Sequence, residues 1–280
     1  MRRATVLVAT ATVVALTALT GCNDDTDKST AATSAAPTST SAAPTSAAPT
    51  SAAPTSATPT SAAPTSAAPS AAGDFDPAQA LATKRAPGAA TMTILTEAAG
   101  RKVLTTTGRV NVDTVFTGRM EVRTADDMPE AQAVRMETVV TADGYYYRDL
   151  AKPGSGWTKA PRSEDNQQAD YAGYAKLLLA TGPAARVGME QQDGVPTYHL
   201  KGHLGIDDVA AIDPSTQRRM KAKGVTGFDC DQWIDKQGRT IRFEQRMDMR
   251  GIPGLNTATF KDFGPVESFP APVEGTANAA

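Results

Sequence analysis

From Ser41 the chain repeats Ser-Ala-Ala-Pro-Thr with a period of five, varied at Thr58, within a low-complexity tract that runs from Asn23 to Gly73. A unit this short, with no large apolar side chain, has nothing to bury and cannot stack into a solenoid. Proline at every fifth position blocks helix and sheet alike. The tract is expected to be a disordered linker of extended, polyproline-like character. Its reach would be about 40 Å as a coil and about 150 Å fully extended. Tracts rich in Ser, Thr and Pro also suit O-glycosylation. Folding is thereby confined to the C-terminal side of the linker, where about 200 residues are enough to bury a full core.

The N-terminal side has another character. Met1-Arg2-Arg3 is a short positive start, and Ala4 to Leu19 is apolar apart from Thr5, Thr10, Thr12 and Thr17. That run is short for a transmembrane helix, which needs about 20 apolar residues. It has the form of an export signal. The twin arginine admits the Tat route, but its flanking residues favour general secretion. Leu19-Thr20-Gly21-Cys22 resembles the lipobox of bacterial lipoproteins position for position. The resemblance implies a signal peptide over 1–21, removed as Cys22 becomes the acylated N-terminus, with palmitate-type chains. A single acyl chain binds a membrane only marginally, whereas two or three on Cys22 would hold it stably. The organisation expected is residues 1–21 as leader, 22–73 as lipidated cysteine and linker, and 74–280 as the folded domain. Such a protein is lipid-anchored at the extracytoplasmic face of the cell membrane.

Within 74–280 the hydrophobic pattern alternates. Phe75 to Ala82 reads first as a short helix, with Asp74 able to cap it and Pro77 early, where proline is tolerated. Then Met92, Ile94 and Thr96 alternate before a Gly100 turn, and Val110 and Val112 after it. Phe116, Gly118, Met120 and Val122 share one face against Thr117, Arg119, Glu121 and Arg123 on the other. Val134, Met136, Thr138 and Val140 repeat the pattern, and Asp143-Gly144 turns the chain into Tyr145-Tyr146-Tyr147. Tyr171, Tyr174, Ala175 and Leu178 fall at helical spacing, and Gly182-Pro183 ends that helix. Val195 to Leu204 returns to strand. Ile206 to Ala222 reads as two short helical pieces broken at Pro214. In the last hairpin, Phe228, Cys230, Gln232 and Ile234 face the same side as Ile241, Phe243, Met247 and Met249, with Asp235 to Gly238 as the turn. A final strand spans Thr257 to Phe263. The fold class expected is α+β, an antiparallel sheet with one apolar and one charged face. The helices are too few to form a layer of their own and must cover the apolar face, giving a strongly curved half-barrel with helices across its concave side.

Three segments carry a resemblance. Gly194-Val195-Pro196-Thr197-Tyr198-His199-Leu200-Lys201-Gly202, the hairpin Trp233-Ile234-Asp235-Lys236-Gln237-Gly238-Arg239, and Thr259-Phe260-Lys261-Asp262-Phe263-Gly264 are similar, in order and spacing, to strands of the actinobacterial LppX/LprAFG lipoproteins, of the wider LolA/LolB-like fold. The resemblance implies a half-barrel sheet wrapped on helices around an apolar cavity for acyl chains. Candidate lining residues on the apolar face are Phe116, Met120, Val122, Val134, Met136, Phe243 and Met247. Methionine is adaptable and suits chains of varied length.

Other chemistry finds little support. The formal net charge is only -2, which argues against a nucleic-acid partner. His199 and His203 would sit on a strand roughly 13 Å apart, opposite in face to Tyr198 and Leu200, and read as surface residues rather than metal ligands. Asp229, Asp231 and Asp235 alternate on the outer face across from Arg242 and Arg246, which points to cross-strand ion pairs. With Cys22 acylated, Cys230 has no disulfide partner and reads as a buried small hydrophobe. Tyr145, Tyr146 and Tyr147 could form a ligand rim, but tyrosines in sheets more often pack. No nucleophile elbow or Ser/His/Asp set stands out, so no enzyme, cofactor or metal is expected. Two functions compete: a lipoprotein that binds or carries lipid or lipoglycan chains, and an envelope interaction or sensor module with a filled core.

Overall fold

The computed structural model describes residues 74–162 and 169–275. The expected leader, the lipobox with Cys22 and the linker lie outside the described residues.

Eleven strands form one open antiparallel sheet: β1 (Gly88–Ala98), β2 (Arg101–Val112), β3 (Gly118–Thr124), β4 (Arg135–Val140), β5 (Tyr145–Asp149), β6 (Thr158–Ala160), β7 (Arg186–Gln192), β8 (Val195–Gly205), β9 (Gly227–Ile234), β10 (Thr240–Met249) and β11 (Ile252–Gly264). The order across the sheet is β6-β5-β4-β3-β2-β1-β11-β10-β9-β8-β7. Every neighbouring pair is consecutive in sequence except β1 with β11. Long-range pairing of the first and last strands, with Ile94 opposite Ala258 and Met92 opposite Phe260, therefore joins two hairpin meanders into one sheet. The sheet does not close, and its edges are β6 and β7.

Local chemistry explains the hairpins. Ala99 and Gly100 both take left-handed backbone (φ 50° and 73°) between β1 and β2, the geometry whose twist suits a two-residue hairpin loop. Between β9 and β10, Asp235 accepts from the backbone N–H groups of Gln237 and Arg239 at 2.9 Å each, and Gly238 sits at φ 74°. A Cβ on Gly238 would stand 2.5 Å from the Ala80 carbonyl, so glycine also lets the helical segment Pro77–Ala82 approach the turn.

The alternation read from sequence sorts the two faces. Met92, Ile94, Val110, Met120, Val140, Leu200, Leu204, Phe228, Ile234, Phe243 and Phe260 belong to one buried core. Helix α2 (Tyr171–Ala180) lies on it: Tyr171 meets Phe243 and Phe260 edge-on at 5.3 and 5.1 Å, and Tyr174 meets Phe243 and Phe228. Gln232 on β9 ties the helix down, its Nε2 donating to the Tyr171 carbonyl at 2.8 Å. Helices α1 (Pro77–Ala82) and α3 (Pro214–Ala222) complete the set, with a 3-10 turn at Asp208–Ala211 before α3.

The opposite face carries charge ladders and a small second cluster. Glu137 is held between Arg119 and Arg148, and Arg135 pairs with Glu121. Beyond β11 the C-terminal segment crosses this face. Asn111 and Glu267 bond twice, side chain to backbone, at 2.8 and 2.9 Å, and Phe269 packs on Val139, Tyr146 and Trp157.

Several expectations are corrected. Helix α1 starts at Pro77, so Asp76, not Asp74, is its cap and accepts from the Ala78 N–H at 2.7 Å. Ile241 falls at a register shift between Thr240 and Arg242 and leaves the core cluster that holds Phe243, because the extra residue breaks the alternation. The last strand begins at Ile252, five residues before Thr257. Strands β6 and β7 were not expected, since Thr158–Ala160 is too short and Arg186–Gln192 too polar to alternate. Of the three tyrosines, Tyr145 and Tyr147 face the core and Tyr146 the opposite cluster. Val134 falls outside β4 and is exposed.

Candidate functional site

A cleft of about 590 Å³ opens where the end of β2, the β2–β3 loop, the start of α2, the β9–β10 turn and the end of β11 meet. Its apolar wall is Val112, Phe116, Tyr171, Phe260 and Phe263, and its polar rim includes Arg85, Arg162, Arg239, Asp113 and Asp170. The volume falls within the range of ordinary small-molecule sites.

Each wall is fixed by specific bonds. Asp170 caps α2, accepting from the Gly173 N–H at 2.8 Å, and this orients Tyr171 into the wall. The Tyr171 ring is buried, and burial pushes its hydroxyl up from the ordinary tyrosine value, so it stays neutral. Arg85 reaches Asp113 bidentately at 2.9 and 2.6 Å and donates to the Gly238 carbonyl at 2.8 Å. It thus clamps the β2–β3 loop to the β9–β10 turn, and its guanidinium is raised mainly by the hydrogen bond to Asp113. Arg162 donates to the carbonyls of Phe116 and Thr141 at 3.1 and 2.6 Å. Arg239 bonds Asp235 at 2.7 Å and lies 4.2 Å over the Phe263 ring. The arrangement is a rigid polar rim around an aromatic floor, suited to an amphiphile with its apolar part inward.

A second, much smaller cavity of about 30 Å³ lies between α3 and strands β1, β10 and β11. Thr96, Asn256, Met220, Met247 and Met249 are among its walls.

The seven candidate lining residues are dispersed. Phe116 lines the large cleft and Met247 the small cavity. Met120, Val122 and Phe243 are buried in packed side chains, each 2% exposed. Met136 is half-buried on β4 and Val134 is exposed. Sequence reasoning did not find Arg85, Arg162, Tyr171, Phe260 and Phe263 as a set, because they come from four separate stretches of the chain.

The outer face holds a further cluster. His199 is buried there, not a surface residue: Nδ1 lies 2.9 Å from Glu190 and Nε2 2.8 Å from Asp231. Trp233 donates to Glu190 at 2.7 Å, and Arg246 to Asp231 at 2.6 Å. The other carboxylates pair differently from expectation: Asp229 meets His203, Asp235 meets Arg239, and Arg242 meets Glu244 on its own strand. Among the described residues no group of three or more His, Cys, Asp or Glu could hold a metal ion, and no helix is long and apolar enough to cross a membrane.

No family model matches the chain. An uncharacterised 31.2 kDa protein of Streptomyces griseus, from the rplA–rplJ intergenic region, is 26% identical over 128 residues, which is 43% of this chain and 42% of that one. The match thus spans about two fifths of the curated relative's length. Among solved structures, the fold is similar to LprF from Mycobacterium bovis, with TM-score 0.48 and 14% identity over 70% of this chain and 96% of that one. It is also similar to lipoprotein LppX from Mycobacterium tuberculosis, with TM-score 0.39 and 12% identity over 65% and 89%. A putative outer membrane lipoprotein-sorting protein domain from Vibrio parahaemolyticus follows at TM-score 0.24 and 11% identity over 67% and 89%.

Proposed function

We propose that this chain is a lipoprotein, anchored through acylated Cys22 at the extracytoplasmic face of the membrane, that takes acyl chains of a lipid or lipoglycan into an apolar cavity. The observation that carries the reading is the cleft floored by Phe116, Tyr171, Phe260 and Phe263 and rimmed by clamped arginines. Ten methylenes buried there would contribute about 8 kcal/mol before ordering costs. Curvature of the sheet around α2 would make that face the concave one, with the cleft at its end. The lipobox and spacer support the anchor: the spacer lifts the domain from the bilayer toward its ligand.

The full chain, purified gently, is extracted with solvent and also offered phospholipid and glycolipid. A lipid mass that co-purifies, and that falls away in Phe116→Lys at unchanged unfolding temperature, supports the carrier. A chain that neither retains nor takes up lipid overturns it. Cys22→Ser is expected to release the protein from the membrane fraction.

One observation favours the second reading, an interaction or sensor module. Beneath α2 the face is filled, with Phe243, Met92, Leu178 and Leu200 each no more than 2% exposed. A ligand held only by the end cleft could then be a signal and not a cargo.

A further inference from the structure

The three arginines on the rim of the large cleft are not equivalent. Arg85 is bound bidentately by Asp113, and Arg239 is bound by Asp235. Arg162 has no carboxylate partner among the described residues; its bonds go to backbone alone, Nη1 donating to the carbonyls of Phe116 and Thr141 at 3.1 and 2.6 Å. A guanidinium carries five N–H donors, two of them on Nη1. The Nε–H and the Nη2 group therefore remain, and they form an edge that matches a carboxylate or phosphate with two parallel bonds. The two carbonyls come from the β2–β3 loop and the β4–β5 turn. They restrain the half-buried guanidinium, so its free edge is oriented before a ligand arrives.

The carboxylates near the rim gather elsewhere. The guanidinium of Arg85 is raised first by its hydrogen bond to Asp113, against burial, and then by the charges of Asp113, Asp235 and Asp170. Asp170 is also engaged as the cap of α2. An anion that reaches Arg162 thus meets a cation with no counter-ion of its own.

This edge adjoins the apolar floor. Arg162 lines the cleft and is bonded to the backbone of Phe116, the residue whose ring forms part of that floor. The space suits one tail. At about 590 Å³ the cleft equals about twenty waters at about 30 Å³ each, and a methylene needs similar room. Beneath α2 the face is filled, and the cavity under α3 adds only about 30 Å³.

We propose that the cleft takes a single-chain amphiphile with an oxyanion head, a carboxylate or phosphate held by the Nε and Nη2 edge of Arg162, while the tail lies on Phe116, Tyr171, Phe260 and Phe263. This inference rests on the reading that the chain takes up lipid, and it narrows that reading to one chain and one sign of charge.

The full chain, stripped of extractable lipid, is offered an equimolar mixture of laurate and dodecanol at about pH 8, where a carboxyl group is ionised. The two share a tail and differ in the head. Laurate should be retained about tenfold over dodecanol, as a charge-assisted pair implies, at one chain per protein. Arg162→Gln should retain dodecanol as the wild type does and lose the preference; a residue that only supported the loop would lower both alike. If Arg162→Gln does not fold, Arg162→Lys keeps the charge without the fork and should cut the preference severalfold. Equal retention by the wild type, or a preference unchanged in a folded variant, overturns the Arg162 anchor and leaves the lipid reading standing. Two or more chains per protein, or uptake of phospholipid or glycolipid with neither laurate nor dodecanol, overturns the single-chain ligand alone. If inorganic phosphate raises the unfolding temperature of the wild type but not of Arg162→Gln, and neither amphiphile is retained, the edge serves a free oxyanion and the proposal falls. If no lipid of any kind is retained, the lipid reading and this inference fall together.

Discussion

The imidazole of His199 lies flat on the indole of Trp233, with ring centroids 4.3 Å apart and planes 14° from parallel. Neighbouring strands β8 and β9 bring the two together, because His199 pairs directly with Trp233. Carboxylates then hold the imidazole edge-on from both sides, Glu190 from β7 and Asp231 from β9. Each ring nitrogen thus faces a carboxylate oxygen within hydrogen-bond distance.

Acid should loosen this edge of the sheet. Burial pushes Glu190 up, but hydrogen bonds from Trp233 and His199 outweigh it and hold the carboxyl below its ordinary value. Burial likewise raises Asp231, and the His199 hydrogen bond, Lys201 and Arg246 outweigh it. Carboxylates depressed in the folded state add stability that is present above their unfolded pKa of about 4 and is lost as pH falls through the folded values. Unfolding midpoints of wild type and Asp231→Asn should therefore differ at neutral pH and converge in acid below about pH 4. A gap that stays constant with pH would refute the linkage. Trp233 fluorescence should change over the same range.

Cys230 should be inert in the folded protein. It is 0% exposed on the core face of β9, and burial pushes its thiol well above the ordinary value. The thiolate is the reactive form, so both access and ionisation are denied. In the Cys22→Ser chain a thiol reagent should label nothing under native conditions and one equivalent in urea. Rapid native labelling would show that β9 opens.

Much of this molecule was legible in its sequence. Tyr171, Tyr174 and Leu178 announced α2 by spacing alone, and Met120 with Val122 announced the core face of β3. The Asp143-Gly144 and Asp235 to Gly238 turns were readable because turn chemistry is local. Less was readable where partners are distant. The pairing of β1 with β11 joins residues more than 150 positions apart, as with Thr96 and Asn256. The burial of His199 depends on Glu190 from β7, a strand whose Arg-Val-Gly-Met-Glu-Gln-Gln run does not alternate. The cleft was least visible, since Arg85, Phe116, Tyr171 and Phe260 share no motif and meet only in the folded chain. The candidate lining was chosen by alternation, which finds side chains that face the core, not those that leave space within it.

The clamp at the cleft should be worth a measurable fraction of the stability. Arg85 and Asp113 have side chains only 16% and 24% exposed, and the bidentate pair bridges elements that otherwise meet across the cleft. Arg85→Ala strands the Asp113 carboxylate and frees the Gly238 carbonyl. The expected loss is about 2 kcal/mol, read from urea unfolding. Lipid uptake should weaken in parallel, since the mouth loses its fixed shape. A variant of wild-type stability would mean that Asp113 finds another partner.

The C-terminal strap yields a prediction about the opposite face. Asn111 is the only residue of β2 whose side chain both donates to and accepts from the backbone of Glu267, at 2.8 and 2.9 Å. Arg109 adds a bond from its Nε to the Glu267 carboxylate at 3.0 Å, and two residues on, Phe269 fills the cluster of Val139, Tyr146 and Trp157. Asn111, Val139 and Tyr146 lie on strands already paired on both sides, and Trp157, just before edge strand β6, bridges Glu274 of the strap, so the strap adds stability to a sheet that is largely paired without it. Asn111→Leu removes both backbone bonds and should cost about 2 kcal/mol. Phe269→Ala should cost about 3 kcal/mol if the cluster is as closed as a core site. Because both act through one segment, the double variant should lose less than the sum of the two. Limited proteolysis supplies the structural check: the variants should be trimmed near residue 264 while the sheet survives. If the full domain is degraded instead, the strap is an integral part of the folding unit and not an addition to it.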